Sequence, residues 1–336
     1  ENGTPIEKCS PGYGYGYPHM LATRGACRLL QEAHLPFGII TRKQLGSLDR
    51  YKLVILPNVL RMDQEEAEAF RAYVKRGGNV YASRCTSLTE TKGVRHPDFM
   101  MADVFGCHYD GEAGGVMAYF KPCEEFVRSA IAPQDYVGLN SLLLKEKIEG
   151  RALARLTLPY SYPSSGGVPW WKFDYNFASM WSSPPWEDTP RPAIVFNQYG
   201  KGKSIYSAAD LETRGEAATQ SLFLALVEQL TGGTEDLSWS AKTHPAVWMS
   251  VFDQPERHQM TVSFLNNQPQ WPALPIQRIL FTLRLPTGRK VARIFEAPAG
   301  PKVKFTVDRR GAVHAEARDL HVFKMLVVEY KKGSRS

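Results

Sequence analysis

The stretch "LDRYKLVILPNVLRMDQEEAEAFRAYVKRGGNVYAS", residues 48 to 83, constrains the fold most tightly, because two apolar runs flank a segment of helical period. Leu53–Leu56 is too short for a helix and is closed by Pro57, so it predicts a strand buried on both faces. "DQEEAEAFRAYVKRGG" opens on a candidate N-cap Asp63 with an acidic first turn. It closes on basic residues and Gly77-Gly78, as a helix with a glycine stop does. "NVYAS" then predicts a second strand. Strand, helix and strand at this spacing indicate a βαβ unit and a parallel sheet with helices on both faces.

The same alternation extends on either side. "GACRLLQEA" places apolar residues at helical spacing, and "LPFGIITRKQL" follows as a predicted strand leading into a loop. "RALARLTLPY" predicts a further strand. "PAIVFNQYGKGKSIYSAADLE" predicts a hairpin turned at Gly200-Lys201-Gly202, and "AATQSLFLALVEQLTGG" a closing amphipathic helix. Beyond Gly233 the helical period disappears. "AVWMSVFD", "QMTVSFLNN", "QRILFTLRLP", "VARIFEA", "KVKFTVD", "AVHAEAR" and "VFKMLVVEY" are short, alternating and bounded by turn residues, as in an antiparallel β-sandwich. We therefore expect an α/β domain over residues 1–233 and an all-β domain over 234–336, and 336 residues suffice for two cores.

Charge and cysteines narrow the function. Lys and Arg are scattered apart from the terminal "YKKGSRS", and no nucleic-acid motif accompanies the net charge of +7, so nucleic acid is not an expected partner. No apolar run approaches the roughly 20 residues of a membrane span, so no membrane is expected either. The N-terminus, "ENGTPIEKCS", has no signal-peptide pattern and does not begin with methionine, from which we expect a leader or larger N-terminal region to have been removed. The compartment stays undetermined. Cys9, Cys27, Cys85, Cys107 and Cys123 are odd in number and never spaced as C-x-x-C, which argues against a disulfide framework or structural zinc. No cofactor or metal is expected.

The order "YKLVILPN", "FRAYVKRGGNVYAS", "YGKGKSIYSAADLE" resembles the middle domain of family 42 β-galactosidases and related glycoside hydrolases. That resemblance implies a trimerisation domain of flavodoxin-like, three-layer fold akin to class I glutamine amidotransferases. The later stretch "AVWMSVFDQPERHQMTVSFLNNQ", "LPTGRKVARIF" and "VFKMLVVEY" resembles the C-terminal β-sandwich that often follows. The catalytic barrel that normally precedes both needs about 250 residues, and the two domains already use the chain. The resemblance thus implies a non-catalytic oligomerisation and accessory region, with a homo-oligomer, the barrel of a parent protein and carbohydrate as partners.

Cys85 stands where the amidotransferase relatives keep a nucleophile in a Gly-x-Cys-x-Gly elbow. Here the frame reads Ser83-Arg84-Cys85-Thr86-Ser87, with both glycines absent. A thiol nucleophile also needs a base, supplied in those relatives by His-x-Glu. The match here, His314-Ala315-Glu316, falls in a predicted sandwich strand whose alternation puts both residues on one face. Cys85 is therefore read as non-catalytic, with an independent amidotransferase-like hydrolase as the alternative. His96, His108 and Asp110 follow Cys85 without diagnostic spacing. "YGKGK" lacks the phosphate-loop spacing and fits a hairpin turn.

Glycoside hydrolysis needs two carboxylates about 5 to 10 Å apart on a rigid scaffold. Asp174, Glu187, Asp188, Glu212 and Glu216 are available, but on a loop or at the edge of the α/β pattern. The long segment from Tyr160 to Pro190 gathers Trp170, Trp171, Phe173, Tyr175, Trp181 and Trp186. We read these aromatics as a domain or subunit interface, with sugar stacking, as in a carbohydrate-binding module, as the alternative.

Overall fold

A computed structural model describes residues 18–112, 118–139, 144–160, 184–233 and 236–332. They divide into two compact units. One takes the described residues up to Ala26 and from Ile39 to Gly233, the other those from Cys27 to Gly38 and beyond Gly233.

The first unit begins in the part of helix α1 (Pro18–Glu32) up to Ala26, the rest of that helix belonging to the other unit, and continues through β1 (Leu53–Leu56), α2 (Gln64–Arg76) and β2 (Asn79–Ser83). A short α3 (Ala102–Phe105) leads to β3 (Cys107–Glu112), β4 (Ala118–Pro122), α4 (Glu125–Ile131), β5 (Val137–Leu139) and β6 (Leu144–Ile148). Then come β7 (Arg151–Pro159), β8 (Pro185–Tyr199), β9 (Gly202–Ser207) and α5 (Ala217–Thr231). The βαβ unit forms where local signals agree. Asp63 accepts the Glu66 N–H at 2.9 Å while the Glu66 carboxylate accepts the Asp63 N–H at 2.9 Å, and Gly77 stops α2 at φ 122°.

Seven strands form one sheet in the order β1-β2-β9-β8-β7-β4-β5. Alternation along β2 decides where the helices lie: Val80 and Ala82 join Phe70 and Val74 of α2 in one core, while Tyr81 meets Phe223 of α5 edge-on at 5.3 Å. Since successive side chains of a strand point to opposite faces, α2 and α5 cover opposite faces of the sheet. The expected α/β layering is present, but the sheet is mixed. Only β1, β2 and β9 run parallel; β8, β7, β4 and β5 follow antiparallel, beginning with the hairpin at Gly200-Lys201. A two-residue connection can join only antiparallel neighbours, so that hairpin reverses the strand direction.

One expected strand is absent. Residues 35–41 are irregular and Arg42–Arg50 forms 3-10 turns, because Thr41 starts a capping box with Gln44. Ile39 is left 72% exposed, so the apolar run "FGII" lacks the burial a strand would need.

In the second unit β10 (Trp239–Lys242), β11 (Val247–Gln254), β12 (Gln259–Asn266), β13 (Ile276–Arg284) and β14 (Arg289–Glu296) are followed by β15 (Phe305–Val307), β16 (Ala312–Leu320) and β17 (Phe323–Lys332). They form two four-stranded antiparallel sheets, β10-β13-β16-β15 and β11-β12-β17-β14. Alternating inward residues of both sheets share one core, with Phe264 of β12 against Phe281 of β13 at 5.4 Å. The edge strand β11 is also held by the segment from Cys27: His34 Nε2 lies 2.9 Å from the Val247 carbonyl and Gln31 donates to that of Met249. Among the described residues no helix is long and apolar enough to cross a membrane.

Candidate functional site

In open α/β sheets ligands bind beyond the carboxyl ends of the parallel strands. Here those ends belong to β1, β2 and β9. Asn58, after β1, takes φ 49° and is 1% exposed. Its N–H donates to Ser83 Oγ at 2.9 Å, and its side-chain oxygen accepts the Cys85 N–H at 3.1 Å. Thr86 donates to the Leu56 carbonyl at 3.0 Å, and the Arg84 N–H donates to the Ser207 carbonyl at 2.8 Å. The three strand ends are stitched together by these bonds.

The turn after β2 carries the positive φ that an elbow requires, at Arg84 (48°) and again at Ser87 (64°), while Cys85 lies between them. Cys85 is 1% exposed within the core that holds Leu56, Val80, Leu88, Phe99 and Tyr206.

Beside it lies a charged cluster. Glu212 is fully buried, with Oε1 2.5 Å from Ser83 Oγ and Oε2 accepting the Tyr81 hydroxyl at 3.0 Å. Burial first, and the neighbouring Asp210 second, push its pKa up to about 8, against the hydrogen bonds of Ser83 and Tyr81. Burial and Glu212 likewise drive the Tyr81 hydroxyl well above the ordinary tyrosine range. Asp210 sits 3.8 Å from the Arg84 guanidinium, and its Oδ1 and Arg84 Nε are buried without hydrogen-bond partners among the described residues. Helix α1 lies over this edge: His19 Nδ1–H donates to the Pro57 carbonyl at 3.1 Å, and a Cβ on Gly25 would stand 2.0 Å from the Glu212 carbonyl oxygen. The sequence flagged Glu212 only as an edge carboxylate. Asn58, Tyr81, Ser83, Arg84 and Asp210 were missed, and the one signal for them is the acidic pair in "SAADLE" directly after an apolar strand.

The other candidates are dispersed. His108 joins Asp98 at 2.6 Å through Nδ1 and Glu149 at 3.0 Å through Nε2; the bond to Asp98, then that to Glu149, raises its pKa. A histidine raised on folding contributes stability that is complete below its ordinary pKa and is lost as pH rises through the folded value. An NMR titration should therefore give His108 a midpoint above that of a free histidine, and Asp98→Asn should bring it down; an unshifted midpoint contradicts the bridge. Asp110 pairs with Arg191 at 3.0 Å, which lowers its pKa. His96 Nε2 is buried without a hydrogen-bond partner among the described residues.

Asp188 is held by Lys121 and by the Thr157 hydroxyl, and the Lys121 bond, ahead of Thr157, lowers its pKa. Glu187 is exposed on β8, and Glu216 precedes α5 in solvent. His314 and Glu316 share the outward face of β16. Trp186 is 66% exposed and meets Tyr160 edge-on at 4.9 Å. Trp170, Trp171, Phe173, Asp174, Tyr175 and Trp181 lie outside the described residues. "YGKGK" forms the β8–β9 turn, where a Cβ on Gly202 would stand 2.0 Å from the Gly78 carbonyl oxygen. Among the described residues no group of three His, Cys, Asp or Glu could hold a metal ion.

No family model and no curated protein matches the chain. Solved structures do. The chain is similar to α-L-fucosidase isoenzyme 2 from Paenibacillus thiaminolyticus at TM-score 0.74 and 21% identity, over 97% of this chain and 47% of that one. It is similar to a catalytic mutant of Gan42B, a GH42 β-galactosidase from G. stearothermophilus, at TM-score 0.62 and 12% identity, over 97% and 38%. A β-galactosidase from Bacillus circulans sp. alkalophilus matches at TM-score 0.62 and 13% identity, over 96% and 39%. At these identities the likeness is one of fold, a glycoside hydrolase-like one. The chain spans less than half the length of each of these enzymes.

Proposed function

We propose that this chain is a non-catalytic oligomerisation and accessory region of a β-galactosidase-like glycoside hydrolase. Its α/β unit is a flavodoxin-like, amidotransferase-related trimerisation domain, and its sandwich is the accompanying C-terminal domain. The observation that carries this reading is the coverage: 97% of the chain superposes on a fucosidase of which it accounts for 47%. The site chemistry supports it. Cys85 and Glu212 are out of solvent, and Asp188 is engaged by Lys121 and Thr157. The acid and nucleophile of the parent enzyme lie outside the residues described.

The exposed indole of Trp186 supports a second reading, in which this rim of the sheet touches carbohydrate. Light scattering on the full chain across a dilution series separates the two. The oligomerisation reading expects an assembly of identical chains at micromolar concentration, unaffected by sugar. A strictly monomeric chain whose indole fluorescence responds saturably to oligosaccharide would replace it with the carbohydrate-binding reading.

A further inference from the structure

The sheet β11-β12-β17-β14 turns Met249, Phe264, Val328 and Ile294 into the core of the sandwich, so the residues next to them in each strand point outward. Partners in register share that outward face. One row across it is Trp248, Leu265 and Phe323, and another is Phe252, Thr261, Val327 and Phe295. Phe252 is 64% exposed and Phe323 59%, and Trp248 and Leu265 are exposed beside them. A contiguous exposed apolar patch of this kind marks a binding surface. Between the two rows Ser250 faces Ser263. Trp248 and Phe323 stand two strand spacings apart, about 10 Å.

The same face ends in charge. Arg293 is engaged by Glu329 through two hydrogen bonds of 2.6 and 2.7 Å. Beyond them Lys290 stands opposite Lys331, and Arg289 opposite Lys332. Like charges directly opposite each other destabilise a sheet, yet neither Lys290 nor Lys331 has a carboxylate partner among the described residues. Charge complementarity therefore calls for an anion at this end. The rows of aromatic and hydroxyl side chains carry no cation, so the occupant is largely uncharged where it crosses them. A nucleic acid, charged at every phosphate, would leave most of its phosphates unmatched. From Phe323 to Lys331 the strand rises about 27 Å, room for several sugar rings.

We propose that this face binds an anionic polysaccharide: sugar rings lie on Trp248, Phe323 and Phe252, their hydroxyls bond to Ser250, Ser263 and Thr261, and an acidic substituent meets Lys290 and Lys331. All of these residues belong to the second unit, and such binding is independent of the role proposed above for the α/β unit.

Titration calorimetry of the full chain with polygalacturonate, dextran sulfate and neutral dextran, at low and at high salt, tests this. An acidic polymer should bind, more weakly as salt rises, and neutral dextran should not. Tighter binding of polygalacturonate assigns a carboxylate and tighter binding of dextran sulfate a sulfate ester; either upholds the proposal. Lys290→Gln with Lys331→Gln should lower the affinity about tenfold and flatten its salt dependence. That variant should unfold no earlier than the wild type, because it removes a like-charge pair. Trp248→Ala with Phe323→Ala should lower the affinity about tenfold and leave the salt dependence intact. Should the aromatic pair fail to fold, Phe323→Ala alone, expected to lower the affinity severalfold, decides. Failure of both acidic polymers to bind, equal binding of neutral dextran, affinities unchanged in the variants, or tighter binding of single-stranded DNA overturns the proposal.

Discussion

Gly25→Ala should destabilise the α/β unit by up to about 2 kcal/mol, even though alanine is the better helix former. Two effects oppose each other. Alanine in a helix interior gains about 1 kcal/mol over glycine. Against that, the added Cβ would lie 2.0 Å from the Glu212 carbonyl oxygen and 2.7 Å from its carbonyl carbon, both backbone atoms without a rotamer to escape into. Helix or turn must move by more than an ångström, and overpacking of that kind typically costs about 1–3 kcal/mol, occasionally more. The steric effect wins. Gly46→Ala is the control, because a Cβ there meets nothing within 4 Å. Urea unfolding followed in the helical circular-dichroism band checks this. Equal midpoints for the two variants would mean that α1 does not approach the strand end so closely.

Phe264→Ala should have the largest effect in the sandwich. The ring is 0% exposed between the two sheets and meets Phe281 at a tilt, with centroids 5.4 Å apart. Phenylalanine-to-alanine changes in cores cost about 3–5 kcal/mol, through lost transfer energy and the cavity left behind. Phe252 is on the same sheet but 64% exposed, and its replacement by alanine should stay within about 0.5 kcal/mol. Chemical unfolding followed by the fluorescence of Trp239, which packs against this core, separates the variants. Similar losses would contradict the inward and outward assignment of β12 and β11.

These two sites show what was legible in the sequence. Alternation is local, so every expected strand beyond Gly233 could be placed from periodicity, and the inward position of Phe264 follows from "TVSFLNN". The Asp63 capping box and the Gly77 stop are equally local, and α2 forms where they indicate. The hairpin at Gly200-Lys201 was readable for the same reason, although its consequence, a sheet that turns antiparallel beyond β9, depends on how several segments pair. The Gly25–Glu212 approach was not readable, because the two residues meet only after the sheet has formed. Distance in sequence also hid the cluster. Glu212 looks like any carboxylate after a strand until Tyr81 and Ser83 are brought under it. The error at residues 35–45 has the opposite cause: an apolar run suggested a strand, but a local capping box at Thr41 prevailed and no partner strand buries it.

The fold likeness to glycoside hydrolases and the burial of Cys85 and Glu212 bear on one question, whether these residues carry hydrolytic chemistry of their own. Assay of the full chain with aryl β-galactosides and aryl α-fucosides addresses it directly. The proposed role as a non-catalytic region expects no release of the aryl alcohol above the uncatalysed rate. Turnover by the purified chain that Cys85→Ser or Glu212→Gln abolishes, with the fold retained, would contradict it.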